Sequence, residues 1–170
     1  MKPLLIVDGY NILGQMKDTA CLTLQERRNQ LQEHLQNYAG YTDYDIVLVF
    51  DGYKTEKTER CILNFQGLTV VFTRRGETAD SYIERYAASC PKYREICVAT
   101  SDGYEQSQVM STGAIRMSAR ELLQQMERKN AEKEHLFSYN GDTGKIINRL
   151  SEETLQKLES IRRGKEPDQF

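Results

Sequence analysis

Residues 4–11 read LLIVDGYN, an apolar run that ends on Asp8 and continues as Gly-Tyr. The same ending returns in residues 46–53, IVLVFDGY, and in residues 96–104, ICVATSDGY. Aspartate is a poor strand residue and costs free energy when it is buried, so three apolar runs with this ending need an explanation. The acids concerned are Asp8, Asp51 and Asp102.

Short runs rich in Val, Ile, Leu and Phe show no alternation of apolar and polar residues, which is typical of strands buried on both faces of a parallel sheet. The runs are Leu4–Val7, Ile46–Phe50, Leu68–Thr73 and Ile96–Thr100, with a weaker fifth run at Ala114–Met117. Helical patterns lie between them, so strand and helix alternate along the chain. The sequence therefore predicts an α/β layered fold with a mainly parallel central sheet flanked by helices.

Two of the helical patterns have a clear apolar face. The first face consists of Leu24, Leu31, Leu35 and Tyr38, and the second of Tyr82, Ile83, Tyr86 and Ala87. A third helix is predicted to begin near Glu105, and Ser118 is a candidate N-cap for a long charged helix. The polar segment Lys54–Asn64 has no clear period and is interpreted as a loop or a short helix.

The 170 residues suffice for one well-buried core, so one domain is expected. We expect residues 1–135 to carry it and residues 136–170 to form a turn and a basic C-terminal helix packed on the same domain. No apolar stretch approaches the roughly 18 residues of a membrane helix. The apolar run near the start is shorter than the roughly 7 to 15 residues of a signal-peptide core. These features predict a cytoplasmic protein without a membrane partner.

Composition narrows the chemistry further. The four cysteines include no C-x-x-C pair, and His34 and His135 are the only histidines, which argues against a zinc site, a disulfide framework or a paired-histidine mechanism. The net charge of -2 lacks the basic signature of a protein that binds nucleic acid by overall charge. A nucleic-acid partner would have to bind to a local basic patch on the surface.

The repeated acids are expected to converge. The carboxyl ends of parallel strands line one edge of an open α/β sheet, and ligands bind there. Asp8, Asp51 and Asp102 would meet at that edge, and Asp80 falls in the first turn of the helix that follows the third predicted strand. Carboxylates that share a crevice repel each other unless a cation neutralises them, and Mg²⁺ or Mn²⁺ prefers such oxygen ligands. Metal-assisted phosphodiester hydrolysis is therefore the leading chemistry.

Structural roles compete with this interpretation at single positions. Aspartate is a favoured helix N-cap and glycine eases tight turns, so any one Asp-Gly copy has a purely structural explanation. Asn11 and Ser101 stand beside the acids and would either orient a ligand or metal-bound water, or form turns. The four acids together favour a functional site.

Aromatic and basic residues near the acids suggest a nucleic-acid substrate. Tyr10, Tyr53 and Tyr104 each lie two residues beyond one of the acids, where their faces would stack on unpaired bases. Arg74 and Arg75 are basic residues close to Asp80 in sequence and would contact phosphates. Core packing for the tyrosines and a solvated surface for the arginines are the alternative roles.

Three motifs carry a resemblance to a known family. VDGYN at the first strand, VVF followed by GETAD before a helix, and TSDGYEQ after the fourth strand resemble the YacP-type NYN domain, a branch of the PIN-like metal-dependent nucleases. The likeness extends over nearly the whole chain. It implies a PIN-like three-layer fold, an RNA substrate and endonucleolytic cleavage of messenger RNA at the ribosome.

The resemblance also implies residue roles. The positions that match the family's acidic motifs are Asp8, Asn11, Asp80, Ser101 and Asp102. Asp8, Asp80 and Asp102 would then hold one or two Mg²⁺ or Mn²⁺ ions, while Asn11 and Ser101 position phosphate or water. Asp51 matches the family's FDG strand end and is assigned as a metal ligand or a supporting acid.

Two alternative functions compete with this interpretation. Phosphatases and phosphotransferases of the haloacid-dehalogenase type also place an aspartate after the first strand, but they need a second one where this chain has Tyr10. A non-catalytic RNA-binding or ribosome-binding module with the same fold is the second alternative.

Overall fold

The computed structural model describes residues 1–17, 19, 21–52, 59–101 and 113–132. The strands are β1 (Leu4–Asp8), β2 (Asp45–Phe50), β3 (Cys61–Phe65), β4 (Leu68–Phe72), β5 (Ile96–Ala99) and β6 (Ile115–Met117). The helices are α1 (Gly9–Gln15), α2 (Leu24–Tyr41) and α3 (Ala79–Ser89), and residues 119–132 form a further helix, α4. Met1–Lys129 is one compact unit; of the second, Asn130–Phe170, only residues 130–132 are described.

The described strands form one six-stranded sheet in the order β3-β4-β2-β1-β5-β6. β1 lies near its centre: Val7 pairs with Leu48 of β2 and with Ala99 of β5, and both pairings are parallel. The pairings of β2 with β4 and of β5 with β6 are also parallel, whereas β3 runs antiparallel to β4. The carboxyl ends of the parallel strands therefore meet at one edge of the sheet, called here the carboxyl edge. The predicted α/β fold with a mainly parallel sheet is confirmed.

The two faces of the sheet carry separate apolar cores. On one face, α1, α2 and α4 cover side chains that include Leu5 and Val7 of β1. On the other face, α3 covers Leu4 and Ile6. Successive residues of β1 thus alternate between the two cores, as the pleat of a strand requires.

The predicted apolar faces of the first two helical patterns lie in these cores. Leu31, Leu35 and Tyr38 of α2 are buried, and so are Tyr82, Ile83 and Ala87 of α3, with Tyr86 partly buried. Leu24 belongs to the same predicted face as Leu31 but is 37% exposed, because it is the first residue of α2 and lies at the end of the covered stripe.

The N-termini of two helices follow their sequence signals. At α2, Thr23 Oγ1 accepts the Glu26 N–H at 3.3 Å and the Glu26 carboxylate accepts the Thr23 N–H at 2.7 Å, which is a capping box. Ser118 and Glu121 make the same pair of bonds at α4, at 3.2 and 2.6 Å, so the predicted N-cap at Ser118 is confirmed. The helix predicted near Glu105 and the C-terminal helix lie outside the described residues.

β3 corrects one interpretation. Residues 61–64, the end of the segment interpreted as a loop or a short helix, belong to this strand. β3 lies at the edge of the sheet and most of its residues are exposed, so its sequence shows neither a continuous buried run nor a regular alternation. β3 is defined by its antiparallel pairing with β4, such as Ile62 with Val71, and by the short turn that joins the two strands.

The cysteines are free thiols, and Cys97 is buried in β5. Burial raises the pKa of the Cys97 thiol to about 11, so this thiol stays protonated at neutral pH. No helix in the described ranges has both the length and the apolar character needed to cross a membrane.

Candidate active site

Asp8 ends the central strand and begins a helix. It is the last residue of β1 and only 7% exposed. Asp8 is the N-cap of α1, and its Oδ1 accepts the Asn11 N–H at 3.1 Å. Helix capping, the structural explanation for an Asp-Gly ending, therefore applies to Asp8. A carboxylate has about four acceptor positions and this bond uses one, so capping is compatible with a second role toward a cation.

Asp51 and Asp80 reach the carboxyl edge from other elements. Leu4 and Ile6 face the core under α3, and Asp8 continues that alternation on the α3 side. Asp80 lies in the first turn of α3 and is exposed. Asp51 directly follows β2 and is partly buried. The three described acids thus lie at the same edge, with Asp8 and Asp80 on the same side of the sheet.

The glycines that follow the first two acids are required by close packing. A Cβ at Gly9 would lie 2.3 Å from the nearest ring atom of Phe50. A Cβ at Gly52 would lie 1.6 Å from the carbonyl oxygen of Thr73. This packing explains the glycine in both Asp-Gly endings, but it does not demand aspartate before it.

Asn11 and Ser101 join the ends of β1 and β5. Asn11 Oδ1 accepts the Ser101 N–H at 2.8 Å, and Ser101 Oγ accepts the Ala119 N–H of α4 at 3.3 Å. These bonds fix the backbone where β5 ends and α4 begins. Both side-chain oxygens are therefore engaged within the protein, and the Nδ2 amide of Asn11 is its group for donating to a ligand.

Other predicted site residues, namely Tyr53, Asp102 and Tyr104, lie outside the described residues. In the part of the chain that the structure describes, no three His, Cys, Asp or Glu side chains are grouped so that they could hold a metal ion. The described donors at the candidate site are the carboxylates of Asp8, Asp51 and Asp80. Hard oxygen donors of this kind suit Mg²⁺ or Mn²⁺.

On the α3 side of the carboxyl edge, Glu77 binds two arginines; Glu77, Arg60 and Arg85 are called here the Glu77 cluster. Glu77 is 6% exposed, and Arg60 donates to its two carboxylate oxygens at 2.8 and 3.0 Å. Arg85 donates to Oε1, and the Arg74 N–H donates to Oε2 at 3.4 Å. Burial raises the pKa of Glu77, but these hydrogen bonds outweigh burial and hold the pKa below its ordinary value.

Thr73 connects the Glu77 cluster to the end of β2. Its buried hydroxyl accepts the Gly52 N–H at 2.8 Å and donates to the Glu77 carbonyl oxygen at 2.7 Å. Gly52 follows Asp51, and Glu77 precedes Asp80 by three positions. The hydroxyl therefore joins the two segments that carry these acids.

On the α2 side, the carboxyl edge carries Arg28, which the sequence analysis did not select. Its guanidinium carbon lies 5.3, 5.7 and 5.8 Å from the ring centroids of Tyr10, Phe50 and Phe72. Arg28 also donates to the Tyr10 hydroxyl. One sequence signal existed: Arg28 precedes the buried Leu31 by three positions, so it is a charged residue in line with the buried face of α2.

The remaining predicted RNA contacts differ in exposure. The Tyr10 ring packs edge-on against Phe50, with 5.3 Å between the ring centroids, so it takes part in core packing. Arg74 and Arg75 are exposed in the turn that follows β4 at the carboxyl edge.

Comparison with known proteins identifies relatives over most of the chain. The YacP-like NYN domain family matches residues 5–163. The uncharacterized protein YacP of Bacillus subtilis (strain 168) is 37% identical over 168 residues, which cover 95% of this chain and 97% of that protein.

Solved structures give the same result. A crystal structure of Rae1 (YacP) from Bacillus subtilis is 35% identical, with a TM-score of 0.63 over 96% of each chain. A crystal structure of a mutant of Rae1 (YacP) is 36% identical, with a TM-score of 0.64 over 78% of this chain and 79% of that one. The fold is thus that of a PIN-like NYN domain. This chain belongs to the YacP-like NYN domain family, within the PIN-like nuclease superfamily.

Proposed function

We propose that this chain is a metal-dependent endoribonuclease that cleaves messenger RNA in association with the ribosome. The observation that carries the proposal is Asp8, a buried carboxylate at the end of the central strand of a nuclease-family fold. Asp80 supports it, because it begins a helix on the same side of the sheet at the same edge. Ligands of open α/β sheets bind at this edge.

The proposed metal ligands are Asp8, Asp80 and Asp102, with Asp51 as a further ligand or a supporting acid. PIN-like nucleases generally use divalent metal ions, and carboxylate donors fit Mg²⁺ or Mn²⁺. When bound, such an ion supplies a nucleophilic hydroxide at neutral pH and neutralises charge on the phosphoryl group.

The protein's own groups would bind and orient the RNA. We assign the Asn11 amide as a donor to a phosphate oxygen or to the attacking water, since its Oδ1 is held by the Ser101 N–H. Ser101 would act by fixing the end of β5, directly before Asp102. The proposed contacts to bases and phosphates are Tyr10, Tyr53, Arg74, Arg75 and Tyr104.

Delivery by the ribosome would explain how the chain finds its substrate. A net charge of -2 provides no overall attraction to RNA. The ribosome would bring the messenger RNA to the site, and local arginines at the carboxyl edge would complete the contact.

The experiment compares cleavage of a translated messenger RNA on purified ribosomes with cleavage of the same RNA alone. Wild type and Asp80→Asn are assayed with Mg²⁺, with Mn²⁺ and with chelator. We expect cuts only on ribosomes, only with metal and only with wild type. Cutting in chelator, or by Asp80→Asn at the wild-type rate, would contradict the proposal. Equal cutting of the RNA alone would remove the ribosome from it.

The alternative is a non-catalytic RNA-binding or ribosome-binding module with the same fold. Titration calorimetry with Mn²⁺ separates the two. The enzyme is expected to bind Mn²⁺ in a way that Asp8→Asn and Asp80→Asn weaken. A module that binds ribosomes without Asp8-dependent metal binding and without cutting RNA would be the better description if that result were found.

A further inference from the structure

Arg28 brings a positive charge to the carboxyl edge on the α2 side of the sheet. It lies near the N-terminus of α2, and its guanidinium is surrounded by Tyr10, Phe50 and Phe72. Phe50 and Phe72 are the last residues of β2 and β4, and Tyr10 lies two positions beyond Asp8. The rings therefore hold this charge at the edge where the acids lie.

The charge of Arg28 is not balanced by a carboxylate among the described residues. The ion pairs there involve Arg60, Arg85 and Arg94. The side-chain partners of Arg28 are neutral: the Tyr10 hydroxyl and, at 3.4 Å, the Gln25 amide oxygen. Its Nε is buried and has no hydrogen-bond partner among the described residues. The described part of the chain thus holds this guanidinium in place without pairing it with a carboxylate.

Such a side chain is preorganised to bind an anion. Contact with three rings restricts its rotamers, so less conformational entropy is lost when a ligand binds. A guanidinium forms charge-assisted hydrogen bonds to phosphate oxygens, which are among the stronger hydrogen bonds. The faces of these rings also attract the guanidinium and so help to hold it in place. If this position only had to fill space against the rings, an apolar side chain would do so without burying an unpaired Nε–H.

We infer that Arg28 binds a phosphate group of the RNA next to the bond that is cleaved. The inference rests on the proposed function, because it takes RNA as the ligand. It adds a contact on the α2 side of the sheet to an acidic site on the α3 side, so a single strand that crosses the carboxyl edge would touch both. Tyr10 then acts by holding Arg28 as well as by packing on Phe50.

The test measures binding of a fluorescent single-stranded RNA oligonucleotide by anisotropy, in chelator so that no cleavage occurs, over a range of salt concentrations. Arg28→Met removes the charge but keeps a long chain against the rings, and Arg28→Lys keeps the charge. The matched control is Lys92→Met, which removes one exposed positive charge in the loop before β5, at the opposite edge.

We expect Arg28→Met to weaken binding by about tenfold and to lower the slope of log affinity against log salt by about 0.7, the value for one phosphate contact on a single strand. Arg28→Lys should keep most of the slope, and Lys92→Met should match wild type. Thermal unfolding verifies that each variant is folded. If Arg28→Met does not fold, Arg28→Gln takes its place.

If Arg28→Met and Lys92→Met give the same affinity and slope, the inference is overturned, and Arg28 only covers the rings. The proposed function is judged separately, by cleavage with metal. A wild type that binds RNA through Arg28 but cuts none would leave this inference standing and remove the nuclease. If wild type cuts RNA but Arg28→Met binds RNA as tightly as wild type does, the proposed nuclease stands and the inference about Arg28 is overturned.

Discussion

Two arginine sites lie at the carboxyl edge, one on each face of the sheet. On the α3 side, Arg60 and Arg85 bind the buried Glu77 carboxylate. On the α2 side, Arg28 packs against aromatic rings and has no ion pair within the described residues. The residue type and the edge are the same, but among the described residues a carboxylate pairs with arginine at this edge on the α3 side only.

The difference separates a stabilising role from a binding role. The Glu77 cluster ties the segment before β3 to α3 and to the turn that carries Arg74. Through Thr73 it reaches Gly52 as well. Its loss should therefore affect stability, whereas loss of Arg28 should affect binding of an anion.

The largest effect is expected from Gly52→Ala. The new Cβ would lie 1.6 Å from the Thr73 carbonyl oxygen, so the backbone that follows β2 or β4 must shift. We expect a loss of about 3 kcal/mol in the free energy of unfolding, the upper part of the range for overpacking. Urea denaturation measures it. Gly40→Ala is the control, because a Cβ there meets nothing within 4 Å, and it should not destabilise the protein. Equal stability of the two variants would refute the close packing at Gly52.

Glu77→Gln should follow in size. Glutamine keeps the volume but removes the carboxylate that Arg60 and Arg85 bind, so we expect a loss of about 1–3 kcal/mol. The loss is limited because the two arginine side chains are 35% and 57% exposed and water replaces part of the interaction. Denaturation of Glu84→Gln, an exposed position on the same helix, is the control and should stay within about 0.5 kcal/mol of wild type.

The same cluster predicts a pH dependence. The pKa of Glu77 is lower in the folded protein than its ordinary value of 4.5. Its stabilisation is therefore complete above the unfolded pKa and is lost as the pH falls through the folded pKa. Denaturation from pH 7 to pH 3 should show the gap between wild type and Glu77→Gln closing in acid. A gap that stays constant over this range would contradict the ionised state of Glu77.

Arg28→Met should have the smallest effect on stability. Methionine keeps contact with the rings and removes the unpaired Nε–H, so the cation–π attraction that is lost and the burial cost that is relieved oppose each other. We expect a change of no more than about 1 kcal/mol. A larger loss, in the range expected for Glu77→Gln, would mean that both arginine sites stabilise the fold. The distinction between a stabilising site and a binding site would then be wrong.

The sequence predicted the centre of the sheet better than its edge. β1 is buried on both faces, so its sequence is a continuous apolar run that needs no knowledge of its neighbours. β3 is exposed and exists because of its pairing with β4, so its sequence carried no comparable signal. The short helix α1 is not predicted by any apolar period in the sequence, although its N-cap, Asp8, is of a residue type that favours this position.

The residues of the candidate site also differ in how well the sequence predicts them. Aspartates at strand ends can be assigned to one edge from the topology alone, and the structure brings Asp8, Asp51 and Asp80 there. Arg28 and the Glu77 cluster depend on contacts between residues far apart in sequence, such as Arg60 with Glu77. Such contacts exist only after the chain has folded, and local sequence patterns do not contain them.

Asp8→Asn separates the two roles of Asp8, which are the capping of α1 and the proposed binding of a metal ion. Asparagine is as good an N-cap as aspartate and can still accept the Asn11 N–H, but it carries no charge for a metal ion. The control is Asp43→Asn, which removes an exposed charge just before β2, at the opposite edge.

The measurement is RNA cleavage on ribosomes with Mg²⁺ or Mn²⁺, alongside thermal unfolding of the same samples. We expect Asp8→Asn to unfold within a few degrees of wild type and not to cut RNA, while Asp43→Asn cuts at the wild-type rate. Cleavage by Asp8→Asn at the wild-type rate would mean that Asp8 only caps α1, and the proposed active site would be wrong.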